Sequence, residues 1–157
     1  QILASMIVDT IVCIDGCEII GAFLAEELTR AGIYSRNAHQ TIYIITHEYS
    51  PTGQMLFRDN YLSMIKDKNV LVLLASATTG KTVTKTIQTL TYYGATISGI
   101  SAVFSAANSV MGIPVNALFT TADIPDYKTY KPDGCALSKE QKPNDAIANA
   151  FGYTKIT

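Results

Sequence analysis

The sequence has no excess of positive charge: 12 Lys and Arg stand against 13 Asp and Glu, a net charge of −1. A chain that neutralises a nucleic-acid backbone needs a basic stripe, so the composition excludes bulk nucleic-acid binding. Runs of like charge are missing too, which argues against disordered or acidic tails. Cysteine is scarce. Cys13, Cys17 and Cys135 form an odd, widely spaced set that builds no disulfide framework, and a reducing cytoplasm fits best. Neither Cys13 with Cys17 nor the single thiol of Cys135 has a zinc-ligand spacing, so no metal site is expected there. The only histidines are His39 and His47, read as a surface residue and a loop residue. The apolar opening, residues 1–14, is too short to cross a bilayer. It lacks a basic stretch and contains Asp9, so it is not read as a signal peptide, and no membrane partner is expected. The chain opens on Gln1 rather than Met, and the numbering is expected to start inside a longer gene product.

What is present is the material of a globular domain: 157 residues, 48% hydrophobic and 16% charged. The length suits one domain over residues 1–157, with a core over about 6–120 and a tail over 121–157. Residues 6–14, MIVDTIVCI, are apolar and rich in β-branched side chains, the mark of a strand buried on both faces. Ile19, Ile20, Phe23, Leu24, Leu28 and Ala31 then follow helical spacing, with Gly32 as a stop. Residues 41–46 read as a second strand, 47–53 as an exposed polar loop and 57–65 as a short helix. A strand over residues 69–74 leads through a small-residue loop into a helix with Val83, Ile87, Leu90 and Tyr93 on one face, ended by Gly94. Strands over 96–104 and 114–119 follow, and residues 144–151 are expected as a last short helix. This alternation predicts an α/β fold: a mostly parallel central sheet flanked by helices, with right-handed crossovers and a Rossmann-like core. Ligands of such sheets sit beyond the carboxyl ends of the strands.

Two loops meet that description. One is Asp15-Gly16-Cys17-Glu18. The other follows the apolar run of residues 69–74: Ala75-Ser76-Ala77-Thr78-Thr79-Gly80, with Lys81-Thr82 opening a helix. Backbone N–H groups and a helix N-terminus converge there and favour an anion, and small residues let the backbone close on it. The stretch can be read as a Walker-type loop, with Lys81 on phosphates and Thr82 on Mg²⁺, but alanine replaces its first glycine. No downstream strand ends in a metal-holding aspartate either, since the 96–104 strand runs into Ser105.

Thr78-Thr79-Gly80-Lys81-Thr82 also resembles the phosphoribosyl-diphosphate loop of the type I phosphoribosyltransferases. Thr78 leans toward the orotate branch, because the purine branch tends to have Asp there. Residues 14–21 stand where that family has its pyrophosphate loop, and residues 47–58 where it has a mobile catalytic loop. The resemblance implies transfer of a 5-phosphoribosyl group from its diphosphate to a nitrogenous base such as orotate or another pyrimidine. Mg²⁺ would take part and the protein would be a homodimer. Ser76, Ala77, Thr78, Thr79, Gly80, Lys81 and Thr82 would hold the 5′-phosphate, and Asp15, Gly16, Cys17 and Glu18 the metal-bound pyrophosphate. Arg58 would assist the leaving group, with Lys66 and Lys68 behind it. Asp15 and Glu18 serve equally well as a helix cap and a first-turn acid.

One departure stands out. The family has an acidic pair for the ribose hydroxyls where this chain has Leu74 and Ala75. Each charge-assisted hydrogen bond lost is worth roughly 1.5–3 kcal/mol. A non-catalytic sensor or regulator that binds a phosphoribosyl compound or nucleotide is therefore the alternative, and a P-loop NTPase the third.

Overall fold

In the computed structural model the residues described are 5–30, 36–38, 40–130, 134, 139–140, 146–149 and 152–156. The Gly32 stop, His39 and Cys135 lie outside them. The chain forms two compact units, residues 1–125 and 126–157.

The first unit grows from the most apolar stretch. β5, Asn69–Ala77, has alternating side chains of which Val70 to Leu74 are all buried under apolar cover. Val70, Val72 and Leu74 enter one cluster, with Val12, Ile14, Phe57, Ile65, Val83, Ile87 and Leu90. Leu71 and Leu73 enter the other, with Ile11, Cys13, Cys17, Ala25 and Leu28. A strand continuous in hydrophobicity is thus covered on both faces, as the period-two geometry of a central parallel strand requires. The sheet order is β2 (Tyr43–Thr46), β1 (Thr10–Cys13), β5, β6 (Thr96–Ser105), β8 (Ile113–Thr120) and β7 (Ser109–Val110). All pairings are parallel except the β7–β8 hairpin.

α1, Glu18–Arg30, covers one face. Its buried face differs from the apolar stripe that the spacing predicts. Ile19, Ile20 and Phe23 are exposed, while Gly21, Ala25 and Leu28 face the sheet. The first turns are apolar almost all round, so small residues decide which side approaches. A Cβ on Gly21 would stand 2.6 Å from the Cys13 sulfur, so only glycine lets α1 lie this close to β1. α2, Lys81–Tyr92, covers the other face through Val83, Thr86, Ile87 and Leu90, as its pattern predicts. Each buried apolar side chain contributes about 1.5–3 kcal/mol.

Three other expectations change. The segment read as an open loop over 47–53 folds into a small antiparallel hairpin, β3 (Glu48–Tyr49) with β4 (Met55–Leu56). Its turn is closed by Ser50, whose N–H donates to the Gln54 carbonyl at 2.9 Å and whose hydroxyl accepts from the Gln54 N–H at 3.1 Å. The helix over 57–65 is a 3-10 segment, Asp59–Met64. The last helix expected at 144–151 is instead a hairpin of the second unit, β9 (Ala146–Asn149) and β10 (Gly152–Lys155). Its short alternating run satisfies its backbone across strands, and too few residues are available to nucleate a stable helix.

Candidate active site at the sheet switch point

β1 is followed in sequence by β2 on one side, yet its other neighbour is β5, from which the sheet grows outward through β6. The order reverses between β1 and β5. In an open α/β sheet this reversal opens a crevice at the carboxyl ends of those two strands. The two loops singled out in the sequence leave from these ends. Cys13 pairs with Leu73, and the Ile14 N–H donates to the Leu73 carbonyl at 2.8 Å just before the first loop begins.

The second of these loops is tighter than the sequence suggests. β5 continues through Ala77, so Ala75, Ser76 and Ala77 belong to the strand and only Thr78-Thr79-Gly80 form the bend. The strand is held that far because β6 runs alongside it to Ser105, which pairs with Ala77. The Ala106 N–H donates to the Ala77 carbonyl at 2.8 Å, and the Ser105 hydroxyl donates to the Ala107 carbonyl at 2.7 Å. Gly80 is the N-cap of α2 with φ 72° and provides no side-chain cap. A Cβ there would meet Val110 at 3.0 Å. The first helical N–H with a backbone acceptor at this end is that of Thr84, to the Gly80 carbonyl at 2.8 Å. The N–H groups before it are left for an anion. Residues 76–83 line a recess of about 40 Å³ in front of them. A single water needs about 10–15 Å³ of such space, so the recess is small but open to a ligand group. Ser76, Ala77, Thr78, Thr79, Gly80, Lys81 and Thr82 line this one recess together with Val83.

The Asp15 loop is built by two successive left-handed residues, Asp15 (φ 58°) and Gly16 (φ 76°). Asp tolerates that conformation better than most residues, and nothing lies within 4 Å of a Cβ on Gly16, so the turn faces open space. Cys17 is buried and opens α1, its carbonyl accepting from the Gly21 N–H at 2.8 Å. Burial, then Asp15 and Glu18, push the Cys17 thiol up; burial, then Glu18 and Cys17, push the Cys13 thiol up to about 12. Both sulfurs are inert core groups. Asp15 is exposed and Glu18 half-buried. Two carboxylates suit Mg²⁺ only if substrate phosphates complete the shell, and no cluster of three or more metal-ligating side chains exists among the described residues.

His47, read from the sequence as a loop residue at the head of the 47–58 segment, lies within electrostatic reach of Asp15 and Glu18. It follows β2 directly, at the carboxyl edge of the sheet, with its ring edge-on to Tyr49 at 4.7 Å. Its Nδ1 is buried without a well-formed hydrogen bond. Burial pushes its pKa down, against the opposing pull of Asp15, the Cys13 carbonyl and Glu18. Its place after a parallel strand is the signal that pointed to it. Val110, packed on Gly80, had no such signal, because only the β7–β8 hairpin brings it there.

The leaving-group candidates fare differently. Arg58 is exposed, and its ion-pair partner is Glu48, across the β3–β4 hairpin, rather than a member of either loop. That hydrogen bond and charge raise the Arg58 pKa. Lys66 and Lys68 sit in the turn that precedes β5, with the Asp67 N–H on the Gly94 carbonyl at 3.0 Å. They stand at the amino end of a nine-residue strand whose carboxyl end carries the cradle. At about 3.3 Å per residue the separation is roughly 25–30 Å, which removes both from the site. Leu74 is 1% exposed and lies in the core, while Ala75 is half-buried on the opposite face.

A mostly parallel sheet reversed at β1/β5 and flanked by helices is the fold of the type I phosphoribosyltransferases. Solved structures agree on it. The chain is similar to a hypoxanthine phosphoribosyltransferase of Trypanosoma cruzi, with TM-score 0.54 and 13% identity over 80% of this chain and 66% of that one. It is similar to an adenine phosphoribosyltransferase of Trypanosoma brucei, solved with AMP, pyrophosphate and ribose-5-phosphate, with TM-score 0.52 and 15% identity over 85% and 68% of the two chains. It is similar as well to an orotate phosphoribosyltransferase of Aeropyrum pernix, with TM-score 0.51 and 17% identity over 92% and 70%. The chain thus spans about two thirds of the length of these structures. No protein-family model and no curated protein matches the sequence. Among the described residues no helix is long and apolar enough to cross a membrane.

Proposed function

We propose that this protein is a phosphoribosyltransferase that moves a 5-phosphoribosyl group from its diphosphate to a nitrogenous base, orotate or another pyrimidine, with Mg²⁺. The uncapped N-terminus of α2 behind the recess of residues 76–83 carries the reading. It suits a 5′-phosphate, with Thr78, Thr79 and Thr82 adding hydroxyl donors. The ribose then extends toward the crevice, and the pyrophosphate, with its metal, toward Asp15 and Glu18. Displacement at the anomeric carbon asks the protein for position and charge rather than covalent chemistry. Arg58 would reach the leaving group only after exchanging Glu48 for it. The exposed Ile19, Ile20 and Phe23 support a homodimer.

Calorimetric titration with phosphoribosyl diphosphate and Mg²⁺, followed by pyrophosphate release on adding orotate, tests the reading. Thr79→Ala should weaken donor binding roughly tenfold or more, the worth of a hydrogen bond to a charged group. ATP binding abolished by Lys81→Ala, without donor binding, would overturn it.

The alternative is a sensor of the same fold that holds a phosphoribosyl compound without turning it over. The burial of Leu74 favours it, since no carboxylate stands there for the sugar. Tight donor binding with no base-dependent pyrophosphate release would select it.

A further inference from the structure

α2 has a second set of side chains that the sheet does not use. Lys85, Gln88, Thr89 and Tyr92 follow one another along its outer side, and Gln54, Met55 and Leu56 of the β3–β4 hairpin stand opposite. Between them runs a groove of about 490 Å³ toward Tyr92 and Tyr93. It shares Gln54, Met55, Gln88 and Thr89 with a narrower part of about 180 Å³ that ends at Lys85 and Gly53. The larger part has the size of a small-molecule site.

The chemistry of the walls is selective. Tyr92 is 85% exposed, yet it is not adrift. Its ring meets Tyr93 edge-on at 5.4 Å, and Tyr93 meets the buried Phe57 edge-on at 5.8 Å. A chain of three rings thus fixes an aromatic surface at one end of the groove, available for stacking. The carboxamides of Gln54 and Gln88 have no hydrogen-bond partner among the described residues. Each offers a donor pair and an acceptor, the complement of a heterocycle edge that carries adjacent N–H and C=O groups. The lining contains no carboxylate, and its one charge is Lys85. Lys85 and Tyr92 are two helical turns apart, roughly 10 Å, comparable with the length of a nucleotide.

We propose that this groove is a nucleotide site separate from the phosphate cradle. A nucleoside monophosphate lies along α2 with its heterocycle on Tyr92, its edge on Gln54 and Gln88, and its phosphate at Lys85. Such a ligand bridges α2 to the hairpin whose first strand carries Glu48, the partner of Arg58. Its occupancy would restrain that hairpin. The proposal does not depend on the phosphoribosyl reading, because it uses none of residues 76–82.

Titration of isotope-labelled full-length chain with uridine and adenosine 5′-monophosphates, followed by the side-chain amide resonances of Gln54 and Gln88, tests it. Both carboxamides should shift. Tyr92→Ala and Gln88→Ala should each weaken that response about tenfold or more, the scale of a stacked base or a lost polar pair. Both side chains are exposed, so neither change touches the core. Thr79→Ala in the cradle should leave the response intact. Carboxamides that stay unmoved at millimolar nucleotide would overturn the proposal. So would an affinity unchanged in the Tyr92→Ala, Gln88→Ala double variant, or one lost only in Thr79→Ala. That last outcome would leave the cradle's own reading standing.

Discussion

Gly21 shows how one residue sets the distance between helix and sheet. Alanine is ordinarily favoured over glycine inside a helix by about 1 kcal/mol. Here its Cβ would sit 2.6 Å from the Cys13 sulfur, with Ile44 and Leu73 side chains close behind. Gly21→Ala should therefore destabilise the protein by about 1–3 kcal/mol in urea denaturation, and Cys13→Ala in the same chain should recover part of the loss. Cys13 and Cys17 should also resist alkylation at pH 8 in a Cys135→Ser background, because both thiols are buried and held above their usual pKa. His47 gives a pH effect of defined sign. Its folded pKa lies below the ordinary value of 6.5, so the unfolded chain binds the proton more readily. Stability should be undiminished above about pH 6.5 and should fall as the pH drops from there through the folded pKa. His47→Gln should remove that part of the slope, measured as the difference in unfolding free energy between pH 7.5 and 5.5. A slope identical in both proteins would assign the pH effect to other groups.

Among the elements, β5 and α2 were legible because each obeys one period throughout. The continuous run of residues 70–74 could only be a doubly buried strand, and Val83, Ile87 and Leu90 could only be one helical face. The bend between them was legible in chemistry but not in length. Small residues such as Ala75 and Ala77 fit a loop and a strand equally, and it is the pairing with β6 up to Ser105 that holds them extended. α1 was legible as a helix and not in orientation, since Ile19, Ile20 and Phe23 outweigh Gly21 and Ala25 in any hydrophobic count. Segment 47–58 failed for another reason. Two-residue strands carry almost no periodicity, and the Glu48–Arg58 pair that spans them is ten residues apart in sequence. The strand also decides how an acidic pair can be restored. Leu74→Asp would place a carboxylate in the core without a partner and should cost about 3–5 kcal/mol, whereas half-buried Ala75→Asp should cost within about 1 kcal/mol. Denaturant midpoints of the two single variants would separate them. Only Ala75→Asp is then a usable variant for asking whether a single added acid raises donor affinity.

At the scale of the molecule, the alternation of strands and helices announced a parallel sheet. It could not announce the order of strands, because both β2 and β5 are compatible neighbours of β1 until they are placed. The crevice exists because β1 pairs with both, which reverses the strand order there. The same topology bears on how much of the chain the fold requires. Every strand of the six-stranded sheet lies within residues 10–120, and among the described residues the buried apolar side chains run from Val8 to Val110. Among the described residues β9 and β10 form a two-stranded sheet of their own, and a two-stranded hairpin alone is marginal in water. A chain ending at Pro125 should therefore keep a cooperative unfolding transition and lose less than about 1 kcal/mol, a shift of a few degrees in Tm. It should also keep the response of the residue 76–82 cradle to ribose 5-phosphate. Calorimetry would record the transition, and amide resonances of residues 78–83 the ligand response. A shortened chain that binds a hydrophobic dye and unfolds without a sharp transition would show that residues 126–157 complete the core, and the 157 residues would then have to be treated as one folding unit.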